Sequence, residues 1–293
     1  MLSFILFIAL LFIPATHLNA GTNQDARDIP AIPFERGEVV FSSNERSPNQ
    51  IYIIGMSHRD TLTRANGSNT VKSQIEAYRI GEWLIQNKGL ELLLPEGFLK
   101  DASYEKGNSI KTAASENGTR VSFDTKTLQE ELGKEDAFIN AEMLLMESHS
   151  IESQQVEDLN LYNAVIEKIN LLDKYGFDTY ESLFIKPGLN YLQERRTAAM
   201  LQKIPEVIDK EYRVGRIKNK KAIFTIGISH IPWIIKYLKQ NRIEIYSPDI
   251  ASYDDYVSGV KLLENDFGVT IIIPRTLADN RELLKLTRLD AIH

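Results

Sequence analysis

The stretch Ala222–Leu238, AIFTIGISHIPWIIKYL, decides the fold. Its first half is an apolar, β-branched run that predicts a buried strand, and this run breaks at Gly227. Its second half carries apolar residues at helical spacing, and its proline is tolerated in a first helical turn because the missing amide would have no partner there. A strand, a glycine and a helix in this order place His230 at the carboxyl end of a strand, where open α/β sheets bind their ligands.

The same unit occurs earlier in the chain, at Gln50–His58, which reads QIYIIGMSH. With 16 glycines and five histidines in 293 residues, chance gives about 0.3 matches to Gly-x-x-His. Two such matches, each at the end of a predicted strand, therefore predict one site that contains His58 and His230. The alternative is that two unrelated histidines happen to end two strands.

A third informative stretch is Leu90–Gly97, LELLLPEG, a short strand that ends in Pro-Glu-Gly. A helical pattern over Val71–Gln86 separates it from the first histidine unit, so strand, helix and strand follow one another as in a βαβ unit with a parallel sheet. Glu96 is then expected at the same edge of the sheet as His58. The alternative role for this carboxylate is to cap the turn that follows.

Two further charged residues are candidates for the site. Arg196 belongs to an apolar helical stripe over Leu192–Ile204, where a cation needs an anionic partner or ligand, whereas Arg195 is rotated towards water. A structural ion pair is the alternative role for Arg196. Glu157 lies at the start of a predicted helix over Leu159–Tyr175, where a carboxylate suits the helix dipole, and a catalytic role is the alternative.

Other polar residues are expected to lie outside the chemistry. His149 is near the end of a predicted helix over Phe138–Ser150, and we expect it at the helix terminus or on the surface. Ser57 and Ser229 each precede a histidine, but neither lies in the G-x-S-x-G turn of serine hydrolases.

The first 20 residues predict export. The apolar run Phe4–Ile13 is too short to span a bilayer, and Leu18-Asn19-Ala20 resembles the end of a signal peptide. We therefore expect a secreted or periplasmic protein, with an uncleaved amino-terminal anchor as the alternative. Residues 21–293 are predicted to form a single α/β domain, with 101–220 as a mostly helical insertion.

Composition narrows the function. The net charge of −6 and the pI near 5.5 argue against a nucleic-acid partner. The absence of cysteine rules out disulfides, thiolate metal sites and a cysteine nucleophile. The predicted fold class is α/β, with a mainly parallel central sheet flanked by helices and a helical insertion between the two Gly-x-x-His units. The expected partner is a small-molecule or peptide substrate, with no membrane contact beyond export or the anchor.

The order of these motifs resembles the TraB/Tiki–erythromycin esterase–ChaN superfamily. The segments that carry the resemblance are GMSH, LLLPEG, VED (Val156–Asp158), RTAAMLQKI (Arg196–Ile204) and GISH. Members share an α/β sheet with inserted helices and paired Gly-x-x-His motifs. The resemblance covers Ile51–Leu238.

Carried over to this chain, the resemblance implies that His58 and His230 are site histidines and that Glu96 is their acidic partner. Arg196 matches the family arginine, and Glu157 matches loosely. The glutamate that precedes the family arginine and the polar or acidic residue that follows it appear here as Arg195 and Thr197, which is a departure from the pattern.

The superfamily includes metal-dependent proteases, lactone-opening esterases and haem-binding proteins. Two imidazoles and a carboxylate can hold a divalent metal such as Mn, Co or Zn, with His58, Glu96 and His230 as ligands. Without a metal, a histidine oriented by Glu96 can act as general base to a water, while Arg196 binds an anionic group or an oxyanion. We expect a hydrolase of ester, lactone or peptide bonds. The alternative is a haem- or metal-binding protein without catalysis.

Overall fold

The computed structural model describes residues 32–57, 68–97, 122–134, 139–149, 151–176, 178–248 and 252–286. The strands in these residues are β1 (Gly37–Ser43), β2 (Asn49–Met56), β3 (Leu92–Pro95), β4 (Glu152–Ser153), β5 (Lys221–Gly227), β6 (Arg242–Ser247), β7 (Ser252–Ser258) and β8 (Phe267–Pro274). The helices are α1 (Ser68–Lys88), α2 (Thr125–Leu132), α3 (Ala141–His149), α4 (Leu159–Tyr175), α5 (Ser182–Arg213), α6 (Ile231–Gln240), α7 (Lys261–Glu264), α8 (Arg275–Ala278) and α9 (Arg281–Leu286). A 3-10 turn over Ile228–His230 joins β5 to α6.

Six strands form a mixed sheet in the order β1-β8-β2-β5-β3-β4. All neighbours are parallel except β1, which runs antiparallel to β8 at one edge. β6 and β7 form a separate antiparallel pair. The predicted α/β class, with a mostly parallel sheet flanked by helices, is therefore confirmed.

The central strands are apolar throughout because helices cover both faces of the sheet. In β2, Ile51 and Ile53 pack in the same core cluster as Leu201 of α5 and Ile234 of α6. The alternate residues of β2 pack with α1 and α3 on the opposite face. Each fully buried isoleucine contributes about 1.5–3 kcal/mol relative to exposure, so packing on both faces stabilises the sheet.

The chain between β3 and β5 contains α2, α3, β4, α4 and α5 among its described residues. Most of these described residues are helical, but β4 pairs in parallel with β3 at residues Leu92 and Leu93 and extends the sheet by one short strand. Within the described part of the chain, no helix has the length and apolar character needed to cross a bilayer.

Candidate functional site

The site lies at the carboxyl edge of the parallel sheet, where β2, β5 and β3 end side by side. Met56 is the register partner of Gly227, and Pro95 is the partner of Thr225. The amide of Glu96 continues the ladder by donating to the Thr225 carbonyl oxygen at 3.0 Å. The ends of these three strands, and the described residues that directly follow them, therefore lie at the same edge of the sheet.

At two positions of this edge, Gly55 and Gly97, the backbone geometry favours glycine over a residue with a side chain. A Cβ on Gly55 would lie 3.1 Å from Cγ1 of Ile231, so a glycine allows the first turn of α6 to pack against the end of β2. Gly97 has φ +87°, a left-handed conformation that side chains disfavour. This turn directs the Gly97 amide to Oε2 of Glu157, to which it donates at 3.1 Å.

Glu96 is fixed by two donors from different elements. The amide of Gly227 donates to its Oε2 at 2.6 Å, and Nη1 of Arg196 lies 2.8 Å from its Oε1. Its side chain is only 10 % exposed. The acidic residue after β3 is thus tied both to the turn after β5 and to α5.

Arg196 bridges two glutamates in the interior. Its Nε and Nη2 donate to Oε1 and Oε2 of Glu157 at 2.8 and 2.6 Å, a bidentate pair, while Nη1 contacts Glu96 and donates to Oε1 of Gln193 at 3.2 Å. The guanidinium also lies 5.5 Å from the centroid of the Tyr162 ring. Four of its five N–H groups are therefore engaged by described residues, so Arg196 acts here mainly as the bridge between the carboxylates.

Burial alone lowers the pKa of the Arg196 guanidinium, but the hydrogen bond with Glu157 and the charges of Glu96 and Glu157 outweigh it, so the pKa is raised above its ordinary value. Arg195, the next residue along, is half-buried, and its Nη1 donates to the Tyr191 hydroxyl at 3.2 Å. This difference follows the predicted helical register, in which Arg196 alone shares the apolar stripe.

Glu157 belongs to the site because its neighbour takes the capping role. Oδ1 of Asp158 accepts from the amides of Asn160 and Leu161 and so caps α4. The Glu157 side chain, which is fully buried, is therefore available to Arg196. Of the two roles considered from sequence, the structure places this carboxylate in the buried cluster rather than at the helix cap.

His230 completes the described part of the cluster. Its Nε2 lies 3.4 Å from Oε1 of Glu96, and its Nδ1 lies 2.6 Å from Oγ1 of Thr197. The 3-10 turn that follows β5 holds the residue, and its side chain is 5 % exposed. The predicted grouping of His230, Glu96 and Arg196 is thus present as one set of contacts.

The Thr197 hydroxyl determines which ring nitrogen of His230 carries hydrogen. Oγ1 donates to the carbonyl oxygen of Gln193 at 2.7 Å, and a carbonyl oxygen can only accept. The single hydroxyl hydrogen is then used, so Nδ1 must donate to Oγ1. The neutral ring consequently leaves Nε2 as an acceptor facing the Glu96 carboxylate.

His58, the other predicted histidine, lies outside the described residues, as does the predicted signal peptide over Met1–Ala20. What is described is the strand that leads to His58: β2 ends at Met56, directly beside the end of β5.

A cavity of about 450 Å³ borders the cluster. His230 and Ser229 of the 3-10 turn line it together with Trp233 of α6 and Gln193 of α5. The rings of His230 and Trp233 meet edge to face, with centroids 5.7 Å apart. The histidine is therefore reachable from this cavity, whereas Glu96 is not among the residues that line it.

His149 occupies the first of the two positions expected for it, the terminus of a helix. It ends α3, as predicted for a terminus, but it is 3 % exposed rather than on the surface, and its Nε2 lies 3.5 Å from Oε1 of Glu82. Burial raises the pKa of Glu82, but its contacts with His149, Ser122 and Arg79 outweigh this effect and lower that pKa to about 2. The amphipathic pattern missed this pair because Glu82 and His149 meet only when α1 and α3 pack together.

His230 and Glu96 are the described residues of the cluster with donor atoms suited to a metal ion. Nε2 of His230 and Oε1 of Glu96 are separated by 3.4 Å, close to the roughly 3.3 Å edge of a tetrahedral zinc site. However, Glu96 Oε1 is also 2.8 Å from the Arg196 cation, and the described residues contain no group of three or more His, Cys, Asp or Glu that could hold an ion. The described residues alone therefore do not fit a metal site.

Sequence reasoning missed Thr197, Gln193 and Trp233. Gln193 and Thr197 are four residues apart, so they lie one helical turn from each other on α5, and Thr197 directly follows Arg196. Trp233 lies one turn after His230 on α6. A search for polar or aromatic residues within one turn of each candidate would have found them.

Comparison with known proteins adds no relative to this picture: no family model matches the chain, and neither a curated protein nor a solved structure matches it.

Proposed function

We propose that this chain is an exported hydrolase in which His230, oriented by Thr197 and Glu96, activates a water molecule to cleave an ester, lactone or peptide bond. The observation that carries the proposal is the contact set of His230. One ring nitrogen is bound to a hydroxyl, the other faces a buried carboxylate, and the ring borders a cavity. A histidine held in one tautomer beside a carboxylate is the arrangement that general-base catalysis needs.

In the proposed step, the oxygen of a water attacks the substrate carbonyl carbon while the water's proton passes to Nε2 of His230. The carboxylate of Glu96, 3.4 Å away, stabilises the imidazolium that forms. When the bond to the leaving oxygen or nitrogen breaks, Nε2 returns the proton to that leaving group. The products are a carboxylic acid and an alcohol or amine, and the histidine is neutral again.

Arg196 serves this step indirectly. Because it neutralises Glu157 and shares its charge with Glu96, two buried carboxylates can stay ionised next to one histidine. The cluster has a net charge of −1 when His230 is neutral and zero when it is protonated. The charged intermediate is therefore the electrically balanced state of the cluster.

Our proposal assigns His58 to the same site, as the second histidine of the repeated unit. It also retains the interpretation of residues 101–220 as a mostly helical insertion. This segment supplies Glu157, Arg196 and Thr197 to a site whose remaining described residues follow β3 and β5.

A divalent ion is the second candidate. The 3.4 Å separation of Nε2 and Oε1 suits two ligands of one ion, and His58 would supply a third. Such an ion would polarise the carbonyl or the water. It would also require Arg196 to leave Oε1 of Glu96.

The deciding experiment treats the purified chain with chelator and then adds Mn²⁺, Co²⁺, Zn²⁺ or haem separately. Hydrolysis of a panel of esters, lactones and peptides is measured together with thermal unfolding.

The general-base proposal predicts hydrolysis that survives chelation and is lost in His230→Ala. A ligand that binds only the folded state at a hundredfold excess over Kd adds about 2.7 kcal/mol of stability. Hydrolysis that returns only with an ion favours the metal candidate. Haem stabilisation with a Soret band and no turnover contradicts the hydrolase.

A further inference from the structure

The size and lining of the cavity beside His230 indicate which class of substrate it can bind. Its volume of about 450 Å³ lies within the range of about 300–1,000 Å³ that small-molecule sites occupy. Its walls come from α4, the first half of α5, the 3-10 turn and the first turn of α6. It therefore joins the candidate catalytic histidine to surfaces that the chemistry itself does not use.

One part of the cavity wall is apolar. Leu172 of α4, Leu189 of α5 and Trp233 of α6 line it, and Leu172 is fully buried by its neighbours. The edge-to-face contact between Trp233 and His230 brings this apolar wall to the reacting group. An alkyl or aryl portion of a ligand would be removed from water here, at about 25 cal/mol per Å² of apolar surface.

The polar part of the wall offers donors. Because Arg196 donates to the amide oxygen of Gln193, the amide nitrogen is the part of that side chain left for a ligand, and it can only donate. The hydroxyl of Ser229 and the amide of Asn190 also line the cavity. These groups suit the oxygen atoms of a carbonyl or a carboxylate.

The charged side chain among the described residues that line the cavity is a cation. Lys186 lines the cavity, and none of the described residues that line it carries a carboxylate. Lys186 lies 3.9 Å from Asp178, but the two side chains are 45 % and 102 % exposed. Such an exposed, long contact is weak, so the ammonium can turn to an anionic ligand.

We propose that this cavity binds a substrate with an apolar chain and an anionic group, so that the hydrolysed compound is an ester or lactone bearing a carboxylate. This inference rests on the proposed function, since it assigns the substrate class of the same site. Lys186 meets the anionic group, the Leu172–Trp233 wall holds the apolar chain, and the cleaved carbonyl lies at His230.

The test measures binding with three probes that share an eight-carbon chain and differ in charge: octanoate, octanol and octylammonium. The chain has two tryptophans, so Trp83→Phe leaves Trp233 as the only one, and its fluorescence reports occupancy of the cavity. Calorimetry on the unmodified chain gives the affinities independently. We expect octanoate to bind about fivefold more tightly than octanol, as for a partly exposed ion pair, and octylammonium to bind most weakly.

Lys186→Gln should remove the preference for octanoate over octanol. The matched control is Lys174→Gln, because Lys174 contacts the Tyr175 ring and does not line the cavity. The control should retain the preference, and added salt should reduce it in the parent chain. Equal binding of the three probes, no binding, or a preference that survives Lys186→Gln would overturn the inference.

The two proposals fail in different ways. If His230-dependent hydrolysis is found but the probes do not bind as expected, the substrate class is wrong and the hydrolase proposal stands. If octanoate binds with the expected preference but no ester or lactone is cleaved, the cavity assignment stands and the hydrolase proposal fails.

Discussion

Replacing Arg196 by methionine tests whether the two buried glutamates depend on one cation. Met approximates the length of the side chain but removes every N–H donor. The parent chain places the side chains of Glu157 and Glu96 at 0 % and 10 % exposure, with the guanidinium at 2.6–2.8 Å from both. The variant would remove this shared cation from both carboxylates.

Removing one partner of a buried ion pair costs about 3–5 kcal/mol, because an uncompensated charge remains inside. A domain has about 5–15 kcal/mol of stability, so Arg196→Met should lose a large fraction of it. Lowering the pH should reduce the loss, since protonation of a carboxylate removes the uncompensated charge. Adding Glu157→Gln should recover at least about 1 kcal/mol for the same reason.

The assay is equilibrium unfolding in urea, followed by circular dichroism at several pH values. The control is Arg195→Met, one residue away on α5, where the side chain is half-buried and we expect a change below about 1 kcal/mol. Equal losses in the two variants, or a loss of less than about 1 kcal/mol in Arg196→Met, would refute the bridging role.

Two further predictions address other contacts. Thr197→Val removes the acceptor for Nδ1–H of His230, so we expect about a tenfold lower rate of hydrolysis and a mixed tautomer population in ¹⁵N NMR spectra. Thr197→Ser keeps a hydroxyl, so its rate should stay within about threefold of the parent rate. Equal rates in both variants would contradict the assignment. The pKa of Glu82 is lowered to about 2 in the folded state, so its contribution to stability is present above about pH 4.5 and is lost as the pH falls towards 2. Glu82→Gln should therefore flatten the acid limb of the stability curve by about 3 kcal/mol. An unchanged curve would contradict the lowered pKa of Glu82.

The sequence predicted those parts of the molecule that depend on local pattern. The apolar runs before Gly55 and Gly227 are strands, and the stripe containing Arg196 faces the interior. These features follow from the periodicities of strands and helices, which a single chain segment displays on its own. The position of Glu96 after β3 follows from the βαβ connection.

Contacts between segments that are distant in the sequence could not be predicted from these periodicities. The choice of Glu157 rather than Asp158 for Arg196 depends on which carboxylate caps α4, and both choices agree with the pattern. β4 has only two residues and no apolar run, so its pairing with β3 is fixed by the tertiary structure alone. The burial of His149 likewise appears only when α1 and α3 are packed.

The central claim, that His230 is the base, is tested most directly by comparing two histidines. His230 and His149 are both buried, at 4 % and 3 % exposure, and each has Nε2 about 3.4–3.5 Å from a glutamate oxygen. The measurement is kcat/KM for ester hydrolysis by chelator-treated His230→Gln and His149→Gln, with urea unfolding of both. We predict a loss of at least about 10²-fold in His230→Gln and less than about threefold in folded His149→Gln. Retained activity in His230→Gln, or equal losses in both folded variants, would contradict the account.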